Sequence, residues 1–218
     1  SFMRSRNTEF VASNLKPKTQ YYHFLDNKRG VDLVPKLLEI KNSSGVDGSD
    51  GVFTIGETVV GSIGNRTRLR FRLAQPNHKR GKFDSPRTTY SSNPYKSTPA
   101  GGTAEALPVL YSQTSPVLNV DTESMAEEAE GTYFGYVTKD MKLVGQESGA
   151  VAYVKDVRLI SDRIGDVLGT FFLRDPNSAP PGPSVKVETG TKTFRLSSDP
   201  NNDPGLPGSS DVSFAEIN

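Results

Sequence analysis

The sequence predicts a mainly β protein, built from small β-sandwich or β-barrel-like modules with hairpin repeats, long loops and at most one short helix. Three observations carry this expectation. The segment Gly51-Val-Phe-Thr-Ile-Gly-Glu-Thr-Val-Val-Gly61 aligns without a gap on Gly135-Tyr-Val-Thr-Lys-Asp-Met-Lys-Leu-Val-Gly145, matching both end glycines, Thr54 with Thr138 and Val60 with Val144. Arg66, Arg68, Arg70 and Arg72 alternate with Thr67, Leu69, Phe71 and Leu73, which is the two-residue period of a strand with one apolar face. The 218 residues include 20 Gly and 15 Pro, the punctuation of many turns.

Composition narrows the function classes. A net charge of +1 commits the whole chain to no polyanionic or polycationic partner. The absence of cysteine excludes disulfides, thiolate metal sites and a cysteine nucleophile. No apolar run approaches the ~20 residues of a membrane-spanning helix, and no signal peptide is read. Ser1-Phe2-Met3 reads as a cloning remnant, and the chain is expected to be a fragment of a longer protein.

Three regions are expected in order: N-terminal strands over 1–45; a β domain over 46–177 with related hairpin units at 51–77 and 135–177; and a Pro/Gly-rich arm with a strand pair over 178–218. In the first region, Leu15-x-Pro17-x-Thr19-x-Tyr21 has the spacing of the tyrosine corner of fibronectin-like sandwiches, where Leu enters the core and the Tyr hydroxyl closes onto backbone. A plain turn between two strands is the alternative. His23 falls in the following strand, where a packing role outweighs a ligand role. Val31 to Ile40 is apolar, but Pro35 makes it an edge strand. Residues 42–51 form a loop in which Asp47 and Asp50 only faintly resemble a calcium site, without its alternating ligands and closing Glu.

Each repeat unit reads as a hairpin, with second strands at Arg66 to Leu73 and Ala150 to Ile160. Residues 81–116 form a long stretch without periodicity, suited to an arm that packs on a neighbour. Val117 to Val120 is a short strand. Asp121 to Glu130 is the one helix, with a capping Asp or Thr, early acids and Gly131 as its stop. Asp166 to Leu173 adds a strand, Ser178 to Pro183 is a break, and Val185 to Leu196 is a strand pair around Thr189-Gly190. Ser197 to Ser213 is a linker or an arm ordered by a partner.

The candidate binding residues are basic. Arg66, Arg68, Arg70 and Arg72 share one strand face, and Lys79, Arg80 and Lys82 follow with no acid between Arg66 and Lys82. Three readings stay open: an anion or acidic-partner site, a solvated face that blocks edge-to-edge aggregation, or a match to the acidic segment Asp121 to Glu130. Nucleic acid is the weakest of the anions, because no aromatic platform interleaves with the basic face. Tyr90 and Tyr95 are candidate contacts within the long loop.

A catalytic site is not read. His23 and His78 are too few for a three-histidine zinc site, and no phosphate-binding glycine loop or nucleophile elbow is present. Glu39, Glu57, Asp140 and Glu147 can be drawn as carboxylate pairs, but any chain of this size offers such pairs. The expectation is a non-enzyme with no cofactor and no bound metal.

Several short motifs resemble one family. Arg6-Asn-Thr-Glu-Phe10, Leu15-Lys-Pro-Lys-Thr19, Tyr22-x-Phe24 and Pro35-Lys-Leu-Leu-Glu-Ile40 resemble the opening of a repeated module in large structural proteins of contractile-tailed bacteriophages. Phe53 to Val59, Met141 to Ala150, and Thr191 to Leu196 with Pro204 to Gly208 resemble further parts of those proteins. The first hairpin departs from the pattern, with Gly64-Asn65-Arg66 where such modules often carry a Ser-Gly-Ala turn. The resemblance implies a virion protein of the tail, baseplate or fibre-attachment region. Its partners would be other virion structural proteins and further copies of itself, a trimer included, with a host-surface glycan as the alternative partner. The resemblance supplies no catalytic residue.

Overall fold

The computed structural model describes residues 5–26, 28–29, 31–127, 132–173, 192–201 and 213–217. In chain order the first strands are β1 (Arg6–Ala12), β2 (Gln20–Leu25), β3 (Lys28–Arg29), β4 (Leu33–Pro35), β5 (Leu37–Lys41), β6 (Thr58–Ile63), β7 (Arg66–Ala74), β8 (His78–Lys82), β9 (Ser85–Thr89) and β10 (Val117–Val120). The single described helix, α1 (Thr122–Glu127), comes next. It precedes β11 (Phe134–Gly135), β12 (Lys142–Gly145), β13 (Val151–Asp156), β14 (Leu159–Ile160), β15 (Val167–Leu173), β16 (Lys192–Ser197) and β17 (Ser213–Ile217). The molecule is mainly β with one short helix, as the alternation and turn content require.

Six strands close into an antiparallel barrel in the order β5-β13-β12-β6-β7-β10, with β10 returning to β5. Alternation decides which residues fill it. Leu69, Phe71 and Leu73 of β7 meet Ile40, Val59, Leu118, Leu143, Ala152 and Val154, all fully buried. Closure pairs every barrel strand on both sides, and a six-stranded barrel is narrow enough for side chains alone to fill it.

The repeat has a geometric meaning. β6 and β12 are antiparallel neighbours, and the equivalent residues Val60 and Val144 sit directly opposite each other. Gly61 pairs Leu143, and its repeat-equivalent pair, Val59 with Gly145, is present too. The two hairpins are therefore related by a local two-fold through the Val60/Val144 pair, and β7 and β13 flank it symmetrically. The matched glycines meet different demands. A Cβ on Gly61 would come within 2.6 Å of the Met141 sulfur, whereas one on Gly145 would lie 2.5 Å from Ser148 Oγ and 2.6 Å from the Glu57 carboxylate. Glu57 crosses the symmetry, accepting from the backbone N–H groups of Thr54, Glu147 and Ser148 at 2.7–2.9 Å.

Around the barrel lie a three-stranded sheet, β1-β15-β4, and a second sheet, β14-β2-β16-β17, on which β3 pairs with β2. Their shared core stacks Phe194 on Phe10 and Phe171, with ring centroids 4.8 and 4.9 Å apart. Near its rim, Tyr21 is buried and its hydroxyl accepts from the Lys16 N–H at 3.1 Å, while Leu15 enters the core. That is the local closure expected from the Leu-x-Pro-x-Thr-x-Tyr spacing.

Several expectations change. The apolar run 31–40 is two strands. Pro35, which cannot donate to a ladder, ends β4 at a sheet edge, and the chain crosses at Lys36 into β5, a barrel strand paired on both sides. The boundaries expected near 45 and 177 are both crossed, because β5 belongs to the barrel, β1 pairs β15 and β2 pairs β16. The stretch 81–116 includes part of a hairpin, β8–β9, before running irregularly. The Ala150 to Ile160 strand ends at Asp156 after a bulge, and β14 leaves for another sheet. Residues 128–131 of the expected helix, the break at 178–183 and the turn at 189–190 lie outside the described residues, and β16 pairs with β2 and β17. β17 begins at Ser213, where the stretch expected as a linker or arm ends.

Candidate functional site

The basic residues of β7 and β8 divide into two groups, one turned inward and one outward. The inner group begins with Lys36, at the crossover that Pro35 imposes. Its backbone is tied on both sides: its N–H donates to Leu168 O at 3.0 Å, and its carbonyl accepts from Val120 N at 2.8 Å. Its side chain is only 2% exposed, and Nζ donates to Val120 O at 2.6 Å and to His78 Nδ1 at 2.8 Å. His78 Nε2 lies 2.8 Å from Gly81 O, an acceptor, so Nε2 carries the proton and Nδ1 is left to accept from Lys36. Burial pulls the Lys36 ammonium down to about 7, against the opposing pull of Asp121, Glu9 and Glu123. Burial, with the neighbouring Lys36 charge, holds the His78 imidazole down to about 4.

The next two residues of β8 bind other parts of the chain. Lys79 is buried, forms an ion pair with Asp162, lies 2.7 Å from Asp166, and sits 5.3 Å from the centre of the Tyr90 ring. Asp162 is held in place by the Ile164 and Asp166 N–H groups at 3.1 and 3.0 Å. Arg80 reaches Glu9 of β1 at 2.8 Å and Glu123 of α1 at 3.1 Å. Three successive side chains thus tie the β8–β9 hairpin to the β4–β5 crossover, to the turn before β15, and to β1 with α1.

This cluster has the chemistry of a tie. A near-neutral lysine amine is a potential nucleophile, but Lys36 is enclosed. The cleft lined by Lys36, Tyr90, Pro94, Tyr95 and Asp166 encloses about 10 Å3, room for one water and no substrate. Tyr90 is buried against Leu37, Leu107 and Val117. The Tyr95 hydroxyl lies 3.0 Å from Leu37 O and 2.9 Å from Arg158 O. The expectation that Tyr90 and Tyr95 stand in an open contact loop is corrected: the loop folds back and uses both rings as packing.

The outer group is smaller than the sequence suggested. Arg72 is taken up by the molecule itself, its guanidinium 5.0 and 5.3 Å from the Phe83 and Tyr133 ring centres and 3.9 Å from Asp121. Lys79 and Arg80 are also corrected, from surface candidates to internal ties, and exposed Lys82 lies 3.4 Å from Asp84. Arg72 and Arg80 thus realise the match to the acidic segment, through Asp121 and Glu123. Arg68 and Arg70 remain on the outer side of β7, Arg66 stands at its exposed end opposite Ile63, beyond a bulge, and Arg70 Nε donates to Thr132 O at 3.3 Å. Among the described residues none of these three forms an ion pair. Their neighbours across the sheet are Phe134 of β11, directly opposite Arg70, and on the other side one row of Val60, Val144 and Val151 and another of Ser62, Lys142 and Tyr153. The strands β6, β7 and β12 carry no acid, and the one acid of β13 is Asp156, 3.6 Å from Arg158.

The other sequence candidates are engaged locally. Asp47 pairs with Lys96 and Lys155, which hold its carboxyl below the usual range. Glu39 pairs with Arg158, and Asp140 with Lys41. Among the described residues no group of three His, Asp or Glu gathers to hold a metal. No described helix is long and apolar enough to cross a membrane. Sequence reasoning missed Lys36, Glu9, Asp162 and Asp166. The one available signal was a lysine beside proline inside an otherwise apolar run, since a charged residue there must be buried with partners or interrupt the strand. No family model, curated protein sequence or solved structure matches this chain.

Proposed function

We propose that the chain is a non-enzymatic structural component of a bacteriophage virion, in the tail, baseplate or fibre-attachment region, where it acts as a protein–protein assembly module. One observation carries the assembly role: a closed barrel presents Arg68, Arg70 and Lys142 on a face whose strands β6, β7 and β12 carry no acid, and among the described residues these cations form no ion pair, while buried charges elsewhere tie elements of the chain together. A face of one sign on a stiff support steers and orients a complementary partner. The virion setting rests on the resemblance of the short motifs to contractile-tail structural proteins. The glycan-binding alternative loses its stacking residues, because Tyr90 and Tyr95 pack inside.

Light scattering at low and high salt tests the assembly role. A discrete oligomer, a trimer included, that dissociates as salt rises is the expected result. A monomer at every salt, absent from tail particles purified from the source of this gene, overturns the reading.

A further inference from the structure

We propose that the Arg68–Arg70 ridge, with Lys142 beside it and Arg66 at the exposed hairpin end, seats an extended acidic segment of a neighbouring protein chain whose carboxylates recur at every second residue. This rests on the assembly reading above and names the chemistry of the partner for that face.

The geometry selects the partner in three steps. First, the backbone of β7 is already occupied. β6 pairs along its length on one side, and β11 at Leu69 and Arg70, with β10 at Leu73 and Ala74, takes up the other. A partner therefore cannot add as a further strand at these positions and must engage side chains face-on. Second, residues two apart on a strand repeat at roughly 6.6–6.8 Å. An extended peptide with alternating Glu or Asp repeats its carboxylates at the same interval, and each guanidinium offers a carboxylate two parallel donors. The bulge where Ser62 opposes Thr67 and Gly61 opposes Leu69 puts Arg66 opposite Ile63 and off the Arg68–Arg70 face, so the two-residue spacing holds for Arg68 and Arg70 while Arg66 stands at the exposed hairpin end. Third, the ground beside the ridge is aliphatic. Val60 lies directly opposite Arg70 and Val144 opposite Val60, a shoulder for the apolar or Thr residues between the carboxylates. An extended nucleic acid strand has a similar phosphate repeat but needs rings on which its bases can stack. The described aromatics of this face are the half-buried Phe134, directly opposite Arg70 on β11, and Tyr153, three strands from β7, so they form no row of stacking platforms along the ridge.

The test is fluorescence anisotropy at low salt with three labelled probes. These are an alternating Glu-Thr peptide of about twelve residues, a peptide of the same composition with its Glu residues in one block, and an oligothymidylate of similar length. The alternating peptide should bind about fivefold more tightly than the block peptide, and Arg66→Ala/Arg68→Ala/Arg70→Ala should weaken it about tenfold, as the loss of a few surface ion pairs implies. High salt should abolish the difference. Lys82→Ala removes an exposed cation away from the ridge and should leave binding unchanged. If the triple variant fails to fold, the single change Arg68→Glu replaces it. Equal binding of the two peptides, tighter binding of oligothymidylate, loss on Lys82→Ala, or no binding each overturns the proposal. No peptide binding by a chain that still forms a salt-sensitive oligomer overturns the partner and leaves the assembly reading intact. Register-selective binding by a chain that stays monomeric supports the partner and counts against self-assembly.

Discussion

Arg66, Arg68 and Arg70 of β7 and His78, Lys79 and Arg80 of β8 are two basic triplets separated by a short turn, and the fold uses them in opposite ways. On β7 the two-residue period keeps the apolar partners inside the barrel and leaves the cations outside. On β8 the strand turns into the seam between the barrel and the β1-β15-β4 sheet, where each basic side chain meets a distant partner. Charge alone therefore does not mark a binding surface. What marks it is whether the strand's surroundings supply carboxylates and carbonyls before solvent or a partner does.

The sharpest way to break this contrast is to remove the buried cation that is paired with two carboxylates. Lys79→Ala leaves Asp162 and Asp166 facing each other in a poorly hydrated seam and should cost about 3 kcal/mol in urea unfolding, as expected for one half of a buried ion pair. A loss below about 1 kcal/mol would place Lys79 with the surface cations.

Next in size is a pH effect. The His78 imidazole stays neutral in the folded protein down to about 4, whereas an unfolded histidine takes up a proton near 6.5. Between those values the unfolded chain binds more protons, so stability should fall as pH drops from 6.5 toward 4, by on the order of 2 kcal/mol after allowance for solvent screening. His78→Asn keeps an acceptor for Lys36 and removes the titration, so its melting curves should lose part of this slope. Lys36 adds a change at the other end. Its ammonium is held near 7 in the fold against 10.5 for an ordinary lysine, so stability should rise as pH increases from 7 toward 10. Lys36→Met should flatten that rise.

A smaller effect is expected of Arg80→Met, which breaks two partly exposed ion pairs. About 1 kcal/mol should be lost, most of it at low salt. Smallest is the ridge itself, where Arg66→Ala or Arg68→Ala should shift stability by less than about 0.5 kcal/mol. A cost as large as that of Lys79→Ala would mean that the ridge, too, is an internal tie.

The repeat adds a second contrast, between matched residues. Glu57 and Met141 are equivalent in sequence, yet Glu57 holds the Glu147–Ser148 loop while Met141 packs beside Gly61. The local two-fold preserved the strand register and let the side chains at equivalent positions diverge.

The sequence by itself determined the parts that depend on near neighbours. The alternation of β7, the paired hairpins and the Tyr21 closure onto Lys16 arise from contacts within a few residues, so spacing and turn chemistry were enough to read them. Only the tertiary structure decided where β5 pairs, why the 31–40 run breaks at Lys36, and which cations lie inside. Lys79 meets Asp162 and Asp166, Asn7 pairs its amide with the Gly135 backbone at 2.8 and 2.9 Å, and Tyr95 reaches Arg158, all across long stretches of chain. The physical reason is that a buried charge is tolerable only where its partner is present. For Lys36 and Lys79 that partner is delivered by closure of the barrel against the neighbouring sheet, which no local pattern encodes.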